Sequence, residues 1–308
     1  MRLATILPRA SHAHVPVASA PDGTWIELAA ITARKVARLE DALPWVMGHV
    51  SHLNERAASW KGPRYRGSEF DFLPPVVRPA AFREFDAFEM HVKSTRQKQG
   101  LEMPSAWYEA PVFHFANRLA LIGQGAAVCA PTDSHELDFG LALGVFIGRR
   151  GRDIAPEKAW DHVAGFTIVN DLSARDLERR ALPAGMGPSK GKDFATAVGP
   201  WLVPLSEMED RIEGEKLSLN MNAKVNGKLV ASSNTGTLYH SIPRLVAHAS
   251  RDAELFPGDL LSTGAAGGVC FWDLGIKGSS GWLEPGDCVE LEIERIGTLE
   301  TRIIARPA

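Results

Sequence analysis

Residues able to do chemistry concentrate in one stretch of this chain, Leu137 to Pro200. LDFGLALGVFIGR (Leu137–Arg149) and GFTIVNDLSARDLE (Gly165–Glu178) each carry an apolar run long enough for a buried strand, with polar residues where the run stops. GPSKGKDFATAVGPWLV (Gly187–Val203) is a Gly- and Lys-rich loop feeding a further strand. Glycine lets backbone approach a ligand closely, and Lys192, between Gly191 and Asp193, suits an anion or the shell of a metal. Its ammonium could polarise a substrate carbonyl, or it could pair with Asp171 or Glu178 and need no ligand.

Other chemistries find no support. GAAGG (Gly264–Gly268) lacks the strand–GxGxxG–helix setting of dinucleotide binding, and no GxSxG elbow of a serine hydrolase is present. A net charge of −3 and the lack of a basic cluster with interleaved aromatics argue against nucleic acid or an anionic membrane as partner. Arg175, Arg179 and Arg180 read as surface or ion-pair residues of a loop or lid. The three cysteines, Cys129, Cys270 and Cys288, are odd in number and show no metal spacing. They read as buried free thiols, which fits a reducing cytoplasm. No window spans a membrane, and Met1–Ala20 carries no long apolar stretch followed by a cleavage site.

The elements that must position these residues follow from periodicity. A chain of 308 residues, 45% hydrophobic and 23% charged, allows one large domain or two. Met1–Leu7 reads as a strand, and Val15–Ala18 and Thr24–Ile31 flank the turn signal Pro21-Asp22-Gly23. Ile31–Ser59 has helical spacing, with Val36, Leu39, Leu43, Val46 and Met47 on one face. Prolines 74, 75 and 79 mark a connector. The later part of Phe82–Gln99 suits a helix that carries His91, and residues 82–100 form a candidate lid. Short strands are expected at Pro111–Phe115 and Ala126–Ala130, and a helix at Ala155–Val163. Leu217–Val225 and Lys228–Ser232 form a hairpin across Asn226-Gly227. Ile242–Ser250 is a helix with Pro243 in its first turn. Pro-Gly-Asp turns precede Leu260–Thr263 and Val289–Ile293. The pattern argues for an α+β or mainly-β protein.

NDLSARDLE, GPSKGKDFAT and LFPGDLLSTG together resemble the fumarylacetoacetate hydrolase family, in particular its longer two-domain members, from about Phe82 to the C-terminus. The resemblance implies a smaller β-containing N-terminal domain (1–75) and a catalytic domain (76–308) with the family's mixed β-roll, commonly a homodimer. It implies a small 1,3-diketo or 2-keto carboxylate as substrate and C–C bond hydrolysis as the default reaction. Tautomerisation, decarboxylation or dehydration is the divergent alternative, and a non-catalytic binding protein a third.

The resemblance also assigns roles. Mg2+ is the implied cofactor, held by a carboxylate ahead of the catalytic histidine, an E-x-E pair, and the aspartate of the ND-SARD motif. Hard cations need several oxygen ligands. Asp171 keeps the last position, and Glu84 stands seven residues before His91 where the family usually has Asp. The E-x-E pair is replaced by Gly140 and Ala142, so tight cation binding is not expected from Glu84 and Asp171 alone. Strand alternation would put Glu136 and Asp138 on the face of Gly140 and Ala142; Asp138 reads as structural, Glu136 as a solvated strand end. His91 matches the catalytic histidine. Asp273, in Cys270–Gly278, stands where longer members place its glutamate partner, so that the ring can take a proton from water. Lys192 matches the family's lysine. His114, where relatives place a Tyr, Glu178 in place of Gln, and Ala265 in place of Thr complete the substrate-binding candidates.

Overall fold

The computed structural model describes residues 1–185, 187–275 and 281–307. Its larger sheet runs, edge to edge, through Trp25–Glu27, Val15–Ser19, Leu3–Pro8, Thr196–Pro204, Val163–Asp171, Leu141–Ile147, Leu260–Ser262, Phe82–Phe85 and Phe113–Phe115. Neighbours along this path are antiparallel except Leu260–Ser262 with Phe82–Phe85. A second, five-stranded sheet holds Lys228–Asn234, Asn220–Val225, Cys288–Ile293, Gly297–Ile303 and Ala126–Val128. With a handful of short helices this is the α+β, sheet-dominated class that the sequence pattern indicates.

Every residue of Leu141–Ile147 is buried because its strand is covered on both faces. Leu141, Leu143, Val145 and Ile147 join the apolar cluster of the second sheet, with Met221, Leu291 and Leu299. Ala142 and Phe146 point into another cluster, with Leu39, Leu43, Val46 and Leu53 of the N-terminal helices. The period of two is thus read out as two cores, one on each side of a shared sheet. Leu3–Pro8 pairs with Thr196–Pro204, so the N-terminal strands extend the main sheet, and the larger apolar cluster of residues 1–75 is shared with Phe82, Val198 and Leu260.

Several expectations need correction. Thr24–Ile31 is not one strand: Trp25–Glu27 is extended, and Leu28–Thr32 turns into helix so that Leu28 and Ile31 reach the core. The helical stretch up to Ser59 is three helices, Leu28–Thr32, Leu39–Val46 and Val50–Ser59. The first ends at Ala33, in the left-handed conformation at φ 53°. The helix expected at Ala155–Val163 is the 3-10 helix Pro156–His162, and the helix expected in the later part of Phe82–Gln99 is Glu89–Lys98, after a strand at Phe82–Phe85. The strand expected from Leu137 onward breaks at Phe139–Gly140 into Leu137–Asp138, paired with Ser173–Ala174, and Leu141–Ile147, paired with Val163–Asp171. That break undoes the alternation argument for Glu136, Asp138, Gly140 and Ala142. No helix among the described residues is long and apolar enough to cross a membrane.

Candidate active site

A cavity of about 240 Å³ opens at the ends of the central strands and is lined by Glu84, His91, His114, Asp171, Glu178, Lys192 and Ala265, among others. Every candidate named from the sequence except Asp273, Gly140 and Ala142 therefore lines one space.

His91 is the one buried residue of the helix Glu89–Lys98. Its Nδ1 lies 2.8 Å from Asp273 Oδ2. Asp273 sits in the short helix Phe271–Leu274, whose first turn is fixed from two sides. Cys270 Sγ accepts from the Asp273 N–H at 3.4 Å, and the buried Asp138 carboxylate accepts from the N–H groups of Phe271 (2.9 Å) and Trp272 (3.2 Å). Asp138 is thus structural, as read, and holds the aspartate to its place in the fold. The Gly268 N–H also donates to Asp273 Oδ2, at 3.1 Å. Burial pushes the imidazole's proton affinity down, but the hydrogen bond to Asp273, with a smaller contribution from Cys270, outweighs it and holds His91 up to about 10. Burial likewise opposes the Asp273 charge, and His91 overcomes it, holding Asp273 below the usual range. Both shifts favour the imidazolium–carboxylate form of the pair. The remainder of the Cys270–Gly278 segment beyond Gly275 lies outside the described residues.

The second cluster forms around Lys192, beside the 3-10 turn Ser189–Gly191. Its ammonium is ion-paired with Asp171 Oδ2, donates to Ser173 Oγ at 2.9 Å, and lies 3.9 Å from Glu178 Oε1. Both partners that sequence reading offered as alternatives are in reach. Arg175, expected at the surface or in an ion pair, is a buried residue that joins two carboxylates. Its Nε donates to Asp138 at 3.0 Å and its Nη1 to Glu178 at 2.9 Å. Burial would lower the guanidinium's proton affinity, but Glu178 and Asp138 raise it well above the ordinary value. Burial raises Glu178, with Arg175 opposing. Arg179 pairs with Glu136 at 2.6 Å, which occupies the carboxylate that could have stood in for a missing ligand.

Glu84 and His114 face each other across the Phe82–Phe85 and Phe113–Phe115 strands, with Glu84 Oε2 3.6 Å from His114 Nε2. These two atoms and Asp171 Oδ1 are buried without a hydrogen-bond partner. They are the polar atoms a ligand would satisfy.

The implied Mg2+ can be tested on this donor set. A Cβ at Gly140 would lie 3.2 Å from Ala265 Cβ and 3.4 Å from Asp171 Cβ, so the position does border the site but offers no oxygen. Ala142 is fully buried in the apolar cluster with Phe82 and Val169. Of the four carboxylates that line the cavity, Glu84, Asp86, Asp171 and Glu178, Asp171 already has Lys192 as counter-ion and Glu178 has Arg175. Among the described residues, the only group of three or more potential ligand side chains whose donor atoms converge within 4.8 Å is His91, Cys270 and Asp273, on the other side of the chemistry. The residues present do not fit an oxygen cage for Mg2+.

Sequence reading does not reach several residues here, the cavity-lining Asp86 among them. Thr95 and Arg96 line the cavity beside His91, and a spacing of four on one helix could have flagged Thr95. Cys270 was set aside as a buried thiol; it is buried, but against the histidine, which no local spacing encodes.

The family model described as fumarylacetoacetate (FAA) hydrolase C-terminal matches residues 80–304. This chain belongs to the fumarylacetoacetate hydrolase family. It is 30% identical over 251 residues to the mitochondrial oxaloacetate tautomerase of Rattus norvegicus, covering 81% of this chain and 74% of that one. It is 34% identical over 184 residues to the 2,4-didehydro-3-deoxy-L-rhamnonate hydrolase of a Sphingomonas strain, covering 60% and 61%. The crystal structure of a 5-carboxymethyl-2-hydroxymuconate delta-isomerase from Mycobacterium smegmatis superposes with a TM-score of 0.70 at 25% identity, over 99% of this chain and 100% of that one. The chain is an enzyme of a family whose members include hydrolases, isomerases and tautomerases.

Proposed function

We propose that this enzyme interconverts the enol and keto forms of a small 2-keto carboxylate without a resident divalent cation. The observation that carries the reading is the missing cage: Gly140 contributes no oxygen beside Asp171, and Ala142 points into the apolar core. Hydrolysis of a C–C bond needs an electrophile strong enough to hold a dicarbonyl as its enolate, and a base to activate water. Proton transfer between carbon and oxygen asks for less. It needs an acid that carries a proton, a second group to accept one, and a cation near the oxygen.

The cavity holds all three. The Lys192 ammonium is positioned to polarise the substrate oxygen, exchanging part of its contact with Asp171 for it. His91, held as imidazolium by Asp273, protonates the enol carbon as the carbonyl forms. The proton leaving the enol oxygen passes to the Glu84–His114 pair, whose facing atoms lack other partners. Solvent exchange returns a proton to His91, so atoms and charge balance over the cycle. The buried Arg175 bridge keeps Glu178 beside Lys192 and away from free rotation. The 30% identity to an oxaloacetate tautomerase over most of the chain supports the same class. As in much of this family, a homodimer in the cytoplasm is the setting we propose.

The test is direct. Enol-form oxaloacetate, and a panel of 2-keto acids, are mixed with enzyme dialysed against chelator, and loss of the enol ultraviolet absorbance is followed against the uncatalysed rate. Acceleration that survives chelator supports the proposal. Acylpyruvate cleavage that appears only with Mg2+ and stops with chelator would refute it in favour of hydrolysis.

A further inference from the structure

Cys270 has no part in the proton chemistry above, yet its sulfur shares a small buried space with both members of the histidine–aspartate pair. One ligand atom each of His91, Cys270 and Asp273 lies within 4.8 Å of the other two. All three side chains are buried: Cys270 is fully inaccessible, His91 is 9% exposed, and the Asp273 side chain 1%. Asp273 Oδ1 is a buried oxygen without a hydrogen-bond partner. A thiolate, an imidazole and a carboxylate form a mixed S/N/O donor set that suits Zn2+ or Co2+ and is poor for Mg2+.

We infer that His91, Cys270 and Asp273 form a buried binding site for a soft divalent cation of the Zn2+ class, whose filling displaces the hydrogen bond between His91 and Asp273.

Two arguments carry this beyond proximity. The first is geometric. Metal–ligand distances of about 2.0–2.3 Å at tetrahedral angles separate ligand atoms by roughly 3.3–3.6 Å. The 2.8 Å contact of His91 Nδ1 with Asp273 Oδ2 must open by about half an ångström, and the sulfur must close by up to about an ångström. Side-chain rotation in the short helix Phe271–Leu274 supplies shifts of that size. Three protein ligands leave a fourth position for water.

The second is what filling does to the pair. A cation held between His91 and Asp273 takes the place of their 2.8 Å hydrogen bond, so the histidine loses the contact that orients it. A filled site is an inhibited site.

The inference uses the pair on which the proposed function relies, but its test needs no turnover. Dialysed full-length protein is titrated with Co2+ alone and followed by visible absorption. The expected result is one equivalent of tetrahedral Co2+ with a near-ultraviolet sulfur-to-cobalt band, displaced by Zn2+. Cys270→Ser keeps the helix cap and loses the sulfur band, with Co2+ binding weaker by about tenfold or more. His91→Gln keeps the sulfur band but shifts the visible bands, and Cys129→Ser/Cys288→Ser leaves both unchanged. Circular dichroism melts confirm that each variant is folded. Absence of a sulfur band in the wild type, or its persistence in folded Cys270→Ser, overturns the inference. Co2+ binding at Cys270 in an enzyme that leaves every keto acid untouched would sink the proposed function and leave this site standing.

Discussion

Replacing Asp273 by Asn changes little in volume and keeps one acceptor oxygen, but it removes the charge facing a buried imidazole. In the wild type, burial alone would lower His91; the Asp273 contact reverses this and holds it up to about 10, against an ordinary value of 6.5. That gap corresponds to roughly 5 kcal/mol at most, at about 1.4 kcal/mol per pH unit. A histidine held above its unfolded value stabilises the fold fully below about pH 6.5 and loses that contribution as pH rises to about 10. Between pH 6.5 and 8.5 the wild-type free energy of unfolding should therefore fall by about 2 kcal/mol from this group. In Asp273→Asn the main opposing contact is gone, the ring is neutral when folded, and the decline should vanish. Other groups that titrate near this window, His240 and His248 and the thiols of the unfolded chain, are common to both proteins, so the difference between wild type and variant reads His91. Asp273 itself is held low, so its contribution is lost only as pH falls below the ordinary carboxylate range, and the thiols of Cys270 and Cys288 are pushed up by burial. Urea unfolding of both proteins at three pH values in that window, followed by tryptophan fluorescence, reads the difference. Parallel pH dependences for wild type and variant would refute the ion-pair reading of His91. The same substitution should slow enol–keto conversion by about a hundredfold or more, the usual scale of a lost general acid.

Lys192→Met leaves the Asp171 carboxylate buried without its counter-ion and should cost roughly 3 kcal/mol in chemical denaturation, most of it recovered in Lys192→Met/Asp171→Asn. If the double variant is no more stable than the single, the pair is not coupled. Gly140→Glu should fold with a modest loss, about 1–2 kcal/mol, because its Cβ meets Ala265 Cβ at 3.2 Å and the neighbour must give. It should gain Mn2+ binding detectable by electron paramagnetic resonance, since a further carboxylate would then border the cavity beside Asp171. Ala142→Glu drives a carboxylate into the apolar cluster around Phe82 and Val169, and should destabilise by about 3 kcal/mol or more without adding metal affinity.

Much of the molecule was legible before any coordinates. The strands of Leu141–Ile147 and Val163–Asp171 announce themselves as continuous apolar runs, since a strand covered on both faces has no polar side to show. The hairpin over Asn226-Gly227 and the helix Ile242–Ser250 carry their own turn and capping signals. His91, Lys192, Asp171, Glu178, Glu84, His114 and Ala265 were all named from motifs, and they line one cavity. The family followed from the same motifs.

What sequence could not supply were the contacts between residues far apart in the chain and the breaks in regular geometry. The interruption at Phe139–Gly140 turns Asp138 toward Arg175 and the Phe271–Leu274 helix, while Ala142, within the regular strand that follows, faces a core shared with the N-terminal helices. A pattern of period two assumes an unbroken strand, and one break uncouples the residues before it from those after it. Arg175 looks like a surface charge in SARD because the two carboxylates that bury it are 37 residues before, on the strand Leu137–Asp138, and three after, on its own helix. Cys270 looks inert because its relation to His91 spans most of the catalytic portion of the chain. The residue types and local periods are fixed by sequence, because propensity and burial act over a few residues. Which buried proton, charge or sulfur meets which is decided only when the sheets close around them, because that closure sets both the distances and the absence of water that gives those distances their energy.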